Sequence, residues 1–293
     1  MLEISYGATR AVVARTGAGL RSFEVGTAPY VETYDDKPPM GSGAVLVPWP
    51  NRTAEATWAL DGEPQHLEVT EPARGNAIHG LVRHAEWDVL EHTGSLVSLE
   101  ITIQKQPGWP VSLHVTTSYA LDENGLTVAH GVHNVGDRPT PFGVGTHPYP
   151  RAGNENTDDC TLKLAATTVV PLDPDKMVPS GPPQSVQGTE YDFREARSLK
   201  GVQLDTPFGG CEPGKDGLVR HELRGENESV ELWADPVFKW VQVYTPGNYP
   251  NRGRAVAIEP MTCPPNALNS GIDLIVLAPG ESWAARWGIR PLA

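Results

Sequence analysis

The chain has 293 residues, of which 39% are hydrophobic and 20% are charged, and its formal net charge is −13 at pH 7. These are globular proportions, and the negative charge repels nucleic-acid phosphates and anionic lipid, so neither nucleic acid nor a membrane is an expected partner. The chain has no apolar run near the length of a membrane-spanning helix and no signal-peptide pattern, and its three scattered cysteines fit a reduced, cytoplasmic protein.

Short alternating runs separated by turn residues cover most of the chain. Strands are predicted at residues 2–6, 10–15, 19–25 and 43–48. Three hairpins then follow, with turns at Asp61-Gly62, Thr93-Gly94 and Glu123-Asn124-Gly125. Further strand patterns occupy the C-terminal third, and no long helical pattern competes with them. The sequence therefore predicts an all-β fold, a large antiparallel β-sandwich or barrel, with residues 1–293 as a single domain.

Residues 173–217 differ from this pattern, because few apolar residues alternate there. We expect a long excursion that covers one face of the sheet. Loops of this length in compact domains are usually functional.

The segment 254–268 carries a buried strand into a carboxylate. Residues 255–258 are small or β-branched, which suits a strand covered on both faces. Glu259 follows, and Pro260 is expected to end regular pairing because proline has no backbone N–H. A carboxylate held at a strand end suits a general base. The alternative is a solvated charge or one half of an ion pair.

Three other segments carry candidate functional residues. Residues 47–52 run from an apolar strand into a stiff turn with Trp49 and Arg52, whose side chains suit a sugar face and its polar groups. His79 and His147 each follow an apolar run and precede a glycine or proline. Strand-end residues of a sandwich can converge on one cleft. Taken singly, each histidine is more often a satisfied structural residue.

Four segments, PWPNR, NAIHG, GTHPYP and AIEPMTCPPNAL, occur in an order and at separations that resemble the aldose 1-epimerase (galactose mutarotase-like) family. The resemblance spans roughly residues 40–290. It implies a galactose mutarotase-like supersandwich and an isomerase that interconverts the α and β anomers of a free aldose. It also implies a small-molecule sugar as the substrate, no metal or other cofactor, and a monomer or homodimer.

The resemblance also implies roles for individual residues. Glu259 would be the general base at the anomeric hydroxyl, and His147 the general acid at the ring oxygen. His79 would hydrogen-bond the sugar near the ring oxygen. Arg52 and Asp205 would bind the other hydroxyls. Asp205 lies in a loop that could present Asp192 instead.

Three departures from the family pattern leave the substrate open. Pro150, which follows Tyr149, stands where an aromatic residue is common. The stretch from His79 to Arg83 is closer to the sugar-phosphate epimerase branch, where nearby arginines bind phosphate. The substrate-binding glutamine that mutarotases place before a Pro-Gly pair is replaced here by residues 243–245, Val-Tyr-Thr. A hexose-6-phosphate 1-epimerase, with Arg52 and Arg83 on the phosphate, is therefore the nearest alternative.

Two alternatives from other classes remain. One is a sugar-binding module that has lost turnover, although such a module needs no intact acid–base set. The other is a metal-dependent β-barrel isomerase, which needs clustered histidine ligands. His130 and His133 are spaced to face opposite sides of a strand, which disfavours that reading.

Overall fold

The computed structural model describes residues 1–35 and 37–292, so residues 36 and 293 of the predicted single domain lie outside the described part. The only α-helix of the described residues is α1 (Ala267–Ser270). The strands, in chain order, are β1 (Leu2–Tyr6), β2 (Thr9–Val13), β3 (Leu20–Val25), β4 (Ala28–Pro29), β5 (Val45–Leu46), β6 (Arg52–Thr53), β7 (Thr57–Leu60), β8 (Glu63–His66), β9 (Ala77–Ile78), β10 (Asp88–His92), β11 (Leu96–Ile103), β12 (Leu113–Asp122), β13 (Gly125–Asn134), β14 (Thr140–Phe142), β15 (Gly145–Thr146), β16 (Thr161–Lys163), β17 (Thr168–Val169), β18 (Gln184–Ser185), β19 (Arg197–Ser198), β20 (Asp205–Gly209), β21 (Val219–Arg224), β22 (Ser229–Ala234), β23 (Trp240–Tyr244), β24 (Ala257–Met261), β25 (Ile275–Leu277) and β26 (Ser282–Leu292).

Three sheets contain most of these strands. A nine-stranded sheet has the order β10-β11-β12-β13-β26-β22-β21-β16-β19, and a seven-stranded sheet has the order β18-β17-β20-β23-β24-β15-β5. The N-terminal strands β1 to β4 form a four-stranded meander. Every paired ladder of the named strands is antiparallel, which confirms the predicted all-β antiparallel fold.

One cluster of buried apolar side chains joins the three sheets. It contains Phe23 of the meander, Val115 of the nine-stranded sheet and Val243 of the seven-stranded sheet, all fully buried. Along β12 and β13, buried and half-buried residues alternate, as expected for a strand with one face in the core. None of the helices in the described residues is long and apolar enough to cross a membrane.

The hairpin turns follow the predicted sequence signals. Asp61 and Gly62 both have positive φ, 54° and 84°, as a two-residue turn between β7 and β8 requires. The signals at 93–94 and 123–125 likewise connect β10 to β11 and β12 to β13. The predicted strand at 43–48 is shorter than expected, since only Val45–Leu46 pairs.

The expectation that pairing stops at Pro260 is wrong. Strand β24 continues to Met261, and Pro260 pairs with Val241 of β23. On the other edge of β24, the flanking Ile258 and Thr262 donate to the carbonyls of Pro148 and Val144. Pro260 has no N–H, but the residues on both sides of it keep their backbone hydrogen bonds on this edge of β24. Glu259 therefore lies inside a strand instead of at its end.

The excursion at 173–217 is also more regular than its sequence suggests. It contributes β18 and β20 to the seven-stranded sheet and β19 to the edge of the nine-stranded sheet. It does not form a separate covering loop. Its function in the fold is to carry Asp205, the first residue of β20, to the cavity described next.

Candidate active site

The seven-stranded sheet carries a cavity of about 510 Å³, a volume typical of small-molecule sites. Glu259 lies in the middle of β24, directly opposite Gln242 of β23, and His147 follows the end of β15. Arg52 and His79 reach the cavity from the β6–β9 ribbon. Six of the seven residues predicted from sequence line this cavity: His79, His147, Glu259, Arg52, Asp205 and Arg83.

His147 and Glu259 form a buried pair. The Nε2 atom of His147 lies 3.4 Å from the Oε1 atom of Glu259, and the residues are 4% and 1% exposed. The other polar atoms, Nδ1 of His147 and Oε2 of Glu259, have no hydrogen-bond partner within the described residues. Buried polar atoms nearly always have a hydrogen-bond partner, so a ligand in the cavity can hydrogen-bond to these two atoms.

The ring of His147 is confined on two sides. The ring of Tyr149 stacks on it, with centroids 5.2 Å apart and 20° between the planes. On another side, a Cβ atom added to Gly41 would lie 2.9 Å from Cδ2 of His147, and Gly41 also has a positive φ of 77°. No side chain fits at residue 41 without displacing the imidazole. The ring is therefore fixed before any substrate arrives.

The backbone of Asn51 determines which nitrogen of His79 carries the proton. The N–H of Asn51 donates to Nδ1 of His79 at 3.2 Å, and the N–H of His79 donates to the carbonyl of Asn51 at 2.9 Å. A neutral imidazole that accepts at Nδ1 carries its proton on Nε2. His79 therefore presents an N–H donor as its free ring nitrogen.

The backbone at this point is unusual. Asn51 and His79 both have positive φ, 56° and 64°, a conformation that residues other than glycine rarely adopt and that often marks functional sites. A Cβ atom at Gly80 would lie 2.2 Å from the carbonyl oxygen of Val47. Glycine at residue 80 therefore lets the backbone of Val47 approach the segment closely.

His79, His147 and Glu259 also meet the distance requirement for a metal site, because their ligand atoms lie within 4.8 Å of one another. Their hydrogen bonds do not suit a metal. A histidine that ligates through one nitrogen normally donates from the other, whereas Nδ1 of His79 accepts and Nδ1 of His147 has no acceptor in the described residues. The donor set fits proton transfer better than coordination.

Burial changes the proton affinities of this cluster. It raises the pKa of Glu259 well above its ordinary value, and the neighbouring charge of Asp205 adds to the rise. Burial lowers the pKa of His147, and the charge of Arg83 lowers it further. The pKa of His79 is lowered by burial and then by the neighbouring His147, Arg83, Arg52 and His84. Both shifts favour the neutral forms of the pair, a protonated Glu259 and an unprotonated His147.

A hydrogen-bonded network forms a second wall of the cavity. Arg52 donates to both carboxylate oxygens of Glu71 at 3.0 to 3.2 Å and pairs with Oδ2 of Asp205 at 3.4 Å. Gln242 donates to Oδ1 of Asp205 at 2.6 Å and accepts from the side chain of Asn51 at 3.0 Å. Both oxygens of Asp205 are thus oriented by protein groups, which makes this wall rigid.

Sequence reasoning missed several members of this network. The expected absence of a substrate-binding glutamine is corrected, because Gln242 occupies the cavity across from Glu259. Its signal was available in WVQVY, where strand alternation places residue 242 on the same face as 240 and 244. Asn51 lies in the PWPNR segment, but its contact with Gln242, like the position of Glu71, depends on loops that meet only in three dimensions.

Two loop candidates are resolved by their positions. Asp205 lines the cavity, whereas Asp192 is bound to Arg194 at 2.7 Å and is not among the cavity residues.

Trp49 does not line the cavity either. It is 2% exposed and packs in the core against Trp109, with ring centroids 5.9 Å apart. The prediction that Trp49 stacks on the sugar is wrong, because its ring turns toward the aromatic core.

Comparison with known proteins gives a consistent result. The sequence profile of the aldose 1-epimerase family matches residues 1–290. The uncharacterized protein YihR of Escherichia coli K12 is 30% identical over 283 residues, which are 96% of this chain and 89% of YihR. Galactose mutarotase of Homo sapiens is 29% identical over 203 residues, and the match spans 67% of this chain but only 58% of the human protein.

A solved structure shows the same fold. A GalM/aldose epimerase homologue from Caenorhabditis elegans superimposes with a TM-score of 0.88, over 99% of this chain and 98% of that chain, at 18% sequence identity. At that identity the likeness concerns the fold alone. It confirms the galactose mutarotase-like architecture that the sequence motifs imply.

Proposed function

This chain belongs to the aldose 1-epimerase family, a family of isomerases, and we propose that it interconverts the α and β anomers of an aldose by cofactor-free general acid–base catalysis. His147 acts as the acid and Glu259 as the base. One observation carries the proposal. The two side chains form a buried pair, 3.4 Å apart, that faces a sugar-sized cavity with unused hydrogen-bonding atoms.

The reaction balances within this pair. Glu259 takes the proton of the anomeric hydroxyl, and the C1–O1 bond becomes a carbonyl. The bond between C1 and the ring oxygen breaks, its electron pair stays on the ring oxygen, and His147 protonates that atom. Rotation about the C1–C2 bond and closure with the roles reversed give the other anomer. No redox partner or leaving group is involved.

Ring opening needs a proton on His147, whereas burial favours the neutral imidazole and the protonated Glu259. The two arrangements are the two ends of one half-reaction, because opening moves the proton from His147 to the sugar and another from the sugar to Glu259. Binding of the sugar must therefore shift the pair toward a charged histidine. A nearby acceptor or negative charge on the substrate favours that shift.

The remaining residues of the cavity orient the sugar. The Nε2–H of His79 is a donor available to the ring oxygen region. Arg52 and Asp205 offer charged groups to the hydroxyls on the far side. Because their geometry is held by Glu71 and Gln242, little ordering remains to be done on binding.

The test is the approach to anomeric equilibrium of freshly dissolved α-D-glucose and α-D-galactose, followed by optical rotation. Wild-type protein should accelerate it, and Glu259→Gln should remove most of the acceleration. Since that variant keeps the shape of the side chain, its thermal unfolding should be cooperative. Acceleration that survives in folded Glu259→Gln would remove Glu259 from its role. Binding of sugars without any acceleration would favour a sugar-binding module.

A further inference from the structure

His147 lacks the hydrogen bond that usually orients a catalytic histidine. A catalytic imidazole normally donates from its second ring nitrogen to a carboxylate or carbonyl group, which fixes the tautomer and the direction of the ring. Nδ1 of His147 has no hydrogen-bond partner within the part of the chain that the structure describes. The main chain is held, because the N–H of His147 donates to the carbonyl of Ala44 and its own carbonyl accepts from Gly43. Beyond its contact with Glu259, the orientation of the ring therefore depends on packing.

The packing around this ring is aromatic. Tyr149 stacks on the imidazole with centroids 5.2 Å apart, and a second tyrosine, Tyr249, packs on Tyr149 with centroids 4.9 Å apart. Both tyrosines are buried, and neither lines the cavity. Together with Ala255 and Ala257 they form a small buried cluster that is separate from the main core. The two tyrosines are therefore placed to act on the imidazole and not on a bound sugar.

Hydrogen bonds join this stack to the segment that confines the imidazole on another side. The hydroxyl of Tyr249 lies 2.9 Å from the side-chain oxygen of Ser42, and the hydroxyl of Tyr149 donates to the carbonyl of Met40 at 3.3 Å. Gly41 lies between Met40 and Ser42, and a side chain there would displace the imidazole. The imidazole, the two tyrosines and this segment therefore form a closed circuit of contacts.

A buried carboxylate fixes the two segments that carry these tyrosines. Glu32, which is 3% exposed, accepts from Arg151 at 3.1 Å and from Arg252 at 2.8 Å. Arg151 follows Tyr149 by two residues, and Arg252 follows Tyr249 by three. Buried ion pairs add little net stability, and they can instead specify one arrangement of the segments that they join. Glu32 therefore sets the position of one tyrosine relative to the other.

On the premise that the proposed function holds, we propose that Tyr149 and Tyr249 are positioning residues for the acid His147. Tyr149 holds the imidazole in the orientation for proton transfer, and Tyr249 holds Tyr149. The aromatic face takes the place of the hydrogen-bond acceptor that other catalytic histidines have. It also suits the charge that His147 carries during ring opening, because the face of an aromatic ring attracts a cation within about 6 Å of its centroid.

The experiment measures anomer exchange at equilibrium by NMR, with whichever of glucose and galactose the wild-type protein exchanges faster. Tyr149→Leu removes the ring that contacts the imidazole, and it should lower kcat by about 10- to 100-fold because a small displacement of a catalytic group is costly. KM should change by less than about twofold, since Tyr149 does not line the cavity. Tyr249→Leu keeps the direct contact and should lower kcat by about 2- to 10-fold, the size that one aromatic pair contributes.

Two conservative variants and one matched control show whether the effect comes through the rings. Tyr149→Phe and Tyr249→Phe keep both aromatic faces and should keep most of kcat. Tyr119→Leu is the control, because Tyr119 is equally buried and its hydroxyl also donates to a backbone carbonyl, that of Ala18, but its ring lies in the main core. It should lower the melting temperature by an amount similar to Tyr149→Leu and leave kcat per folded molecule unchanged.

A double variant separates positioning from a general effect on the fold. In the His147→Asn background there is no imidazole to hold, so adding Tyr149→Leu should not lower the remaining kcat further. If Tyr149 served the fold alone, kcat would fall again by the same factor as in the wild-type protein. If Tyr149→Leu does not fold, Tyr249→Leu in the same two backgrounds provides the comparison.

The outcomes also separate this inference from the proposed function. A wild-type protein that accelerates neither sugar would show that the proposed function is wrong, and this inference falls with it. With an active wild type, a normal kcat in folded Tyr149→Leu and Tyr249→Leu would reject the positioning role alone. A loss of kcat that persists in full in the His147→Asn background would assign the two tyrosines to the fold.

Discussion

The two walls of the cavity differ in how completely their polar atoms are paired. On one wall, Arg52, Glu71 and Asp205 are joined by hydrogen bonds that leave the carboxylates oriented. On the other, His147 and Glu259 touch each other but keep Nδ1 and Oε2 without partners in the described residues. The first wall is complete without a ligand, and the second is not.

This difference separates binding from chemistry. A buried polar atom without a partner destabilises a fold by about 1–3 kcal/mol, so such atoms persist where function needs them. The paired wall supplies fixed positions for hydroxyls. The polar atoms of the unpaired wall are available for proton transfer to and from the substrate. Mutations on the two walls should therefore produce different kinetic signatures.

The largest effect is expected on the unpaired wall. Glu259→Gln and His147→Asn should each lower kcat by at least ~10²-fold, because each removes one proton-transfer group while preserving shape. The double variant should be little worse than either single variant, since the two groups act as one unit. NMR anomer exchange measures all three. A near-normal rate in a folded single variant would show that its residue is not the acid or base.

The next effect concerns the paired wall and has a matched control. Asp205→Asn removes the charge that Arg52 and Gln242 orient, and should lower kcat/KM for the sugar by about 10- to 100-fold, chiefly through KM. Asp192→Asn alters an aspartate in the same excursion that is paired with Arg194 away from the cavity. Its effect should be less than about twofold, as for most surface ion pairs. Equal losses in both variants would show that Asp205 acts only through folding of the excursion.

Much of the site could be predicted because its residues follow strands. The alternating runs predicted the hairpins at 61–62 and 123–125, and the apolar run before Glu259 predicted the buried strand that leads into that residue, although not that the strand continues past it. His79 and His147 follow short strands that meet at one cavity. Local patterns of hydrophobicity and turn residues suffice for features of this kind.

The rest depends on contacts between distant segments. Trp49 sits in a proline-rich turn, where no alternation indicates which way a side chain points, and it faces Trp109 in the core. Gln242 meets Asp205 only through the pairing of β23 with β20. Arg83 lines the cavity without an ion pair to any described residue, and this depends on all its neighbours together. No single stretch of sequence contains that information.

The smallest expected effect is on stability, and it tests whether the unpaired wall weakens the fold. The pKa of Glu259 is raised in the folded protein above its ordinary value of 4.5. Between those two pKa values the folded state holds more protons than the unfolded state. The free energy of unfolding therefore falls as pH rises from about 4.5 toward the raised pKa. Glutamine does not titrate, so Glu259→Gln should lack this loss.

The melting temperature of Glu259→Gln minus that of the wild type should therefore increase as pH rises above 4.5. His79 and His147, with lowered pKa values, add a separate dependence in which stability is lost as pH falls below 6.5, and both proteins share it. Glu63→Gln, at an exposed residue of β8, is the control and should show a flat difference. A flat difference for Glu259→Gln as well would mean that the folded protein holds this carboxylate ionised. The unpaired wall would then lower stability no more than the paired one, and the contrast between the two walls would be lost.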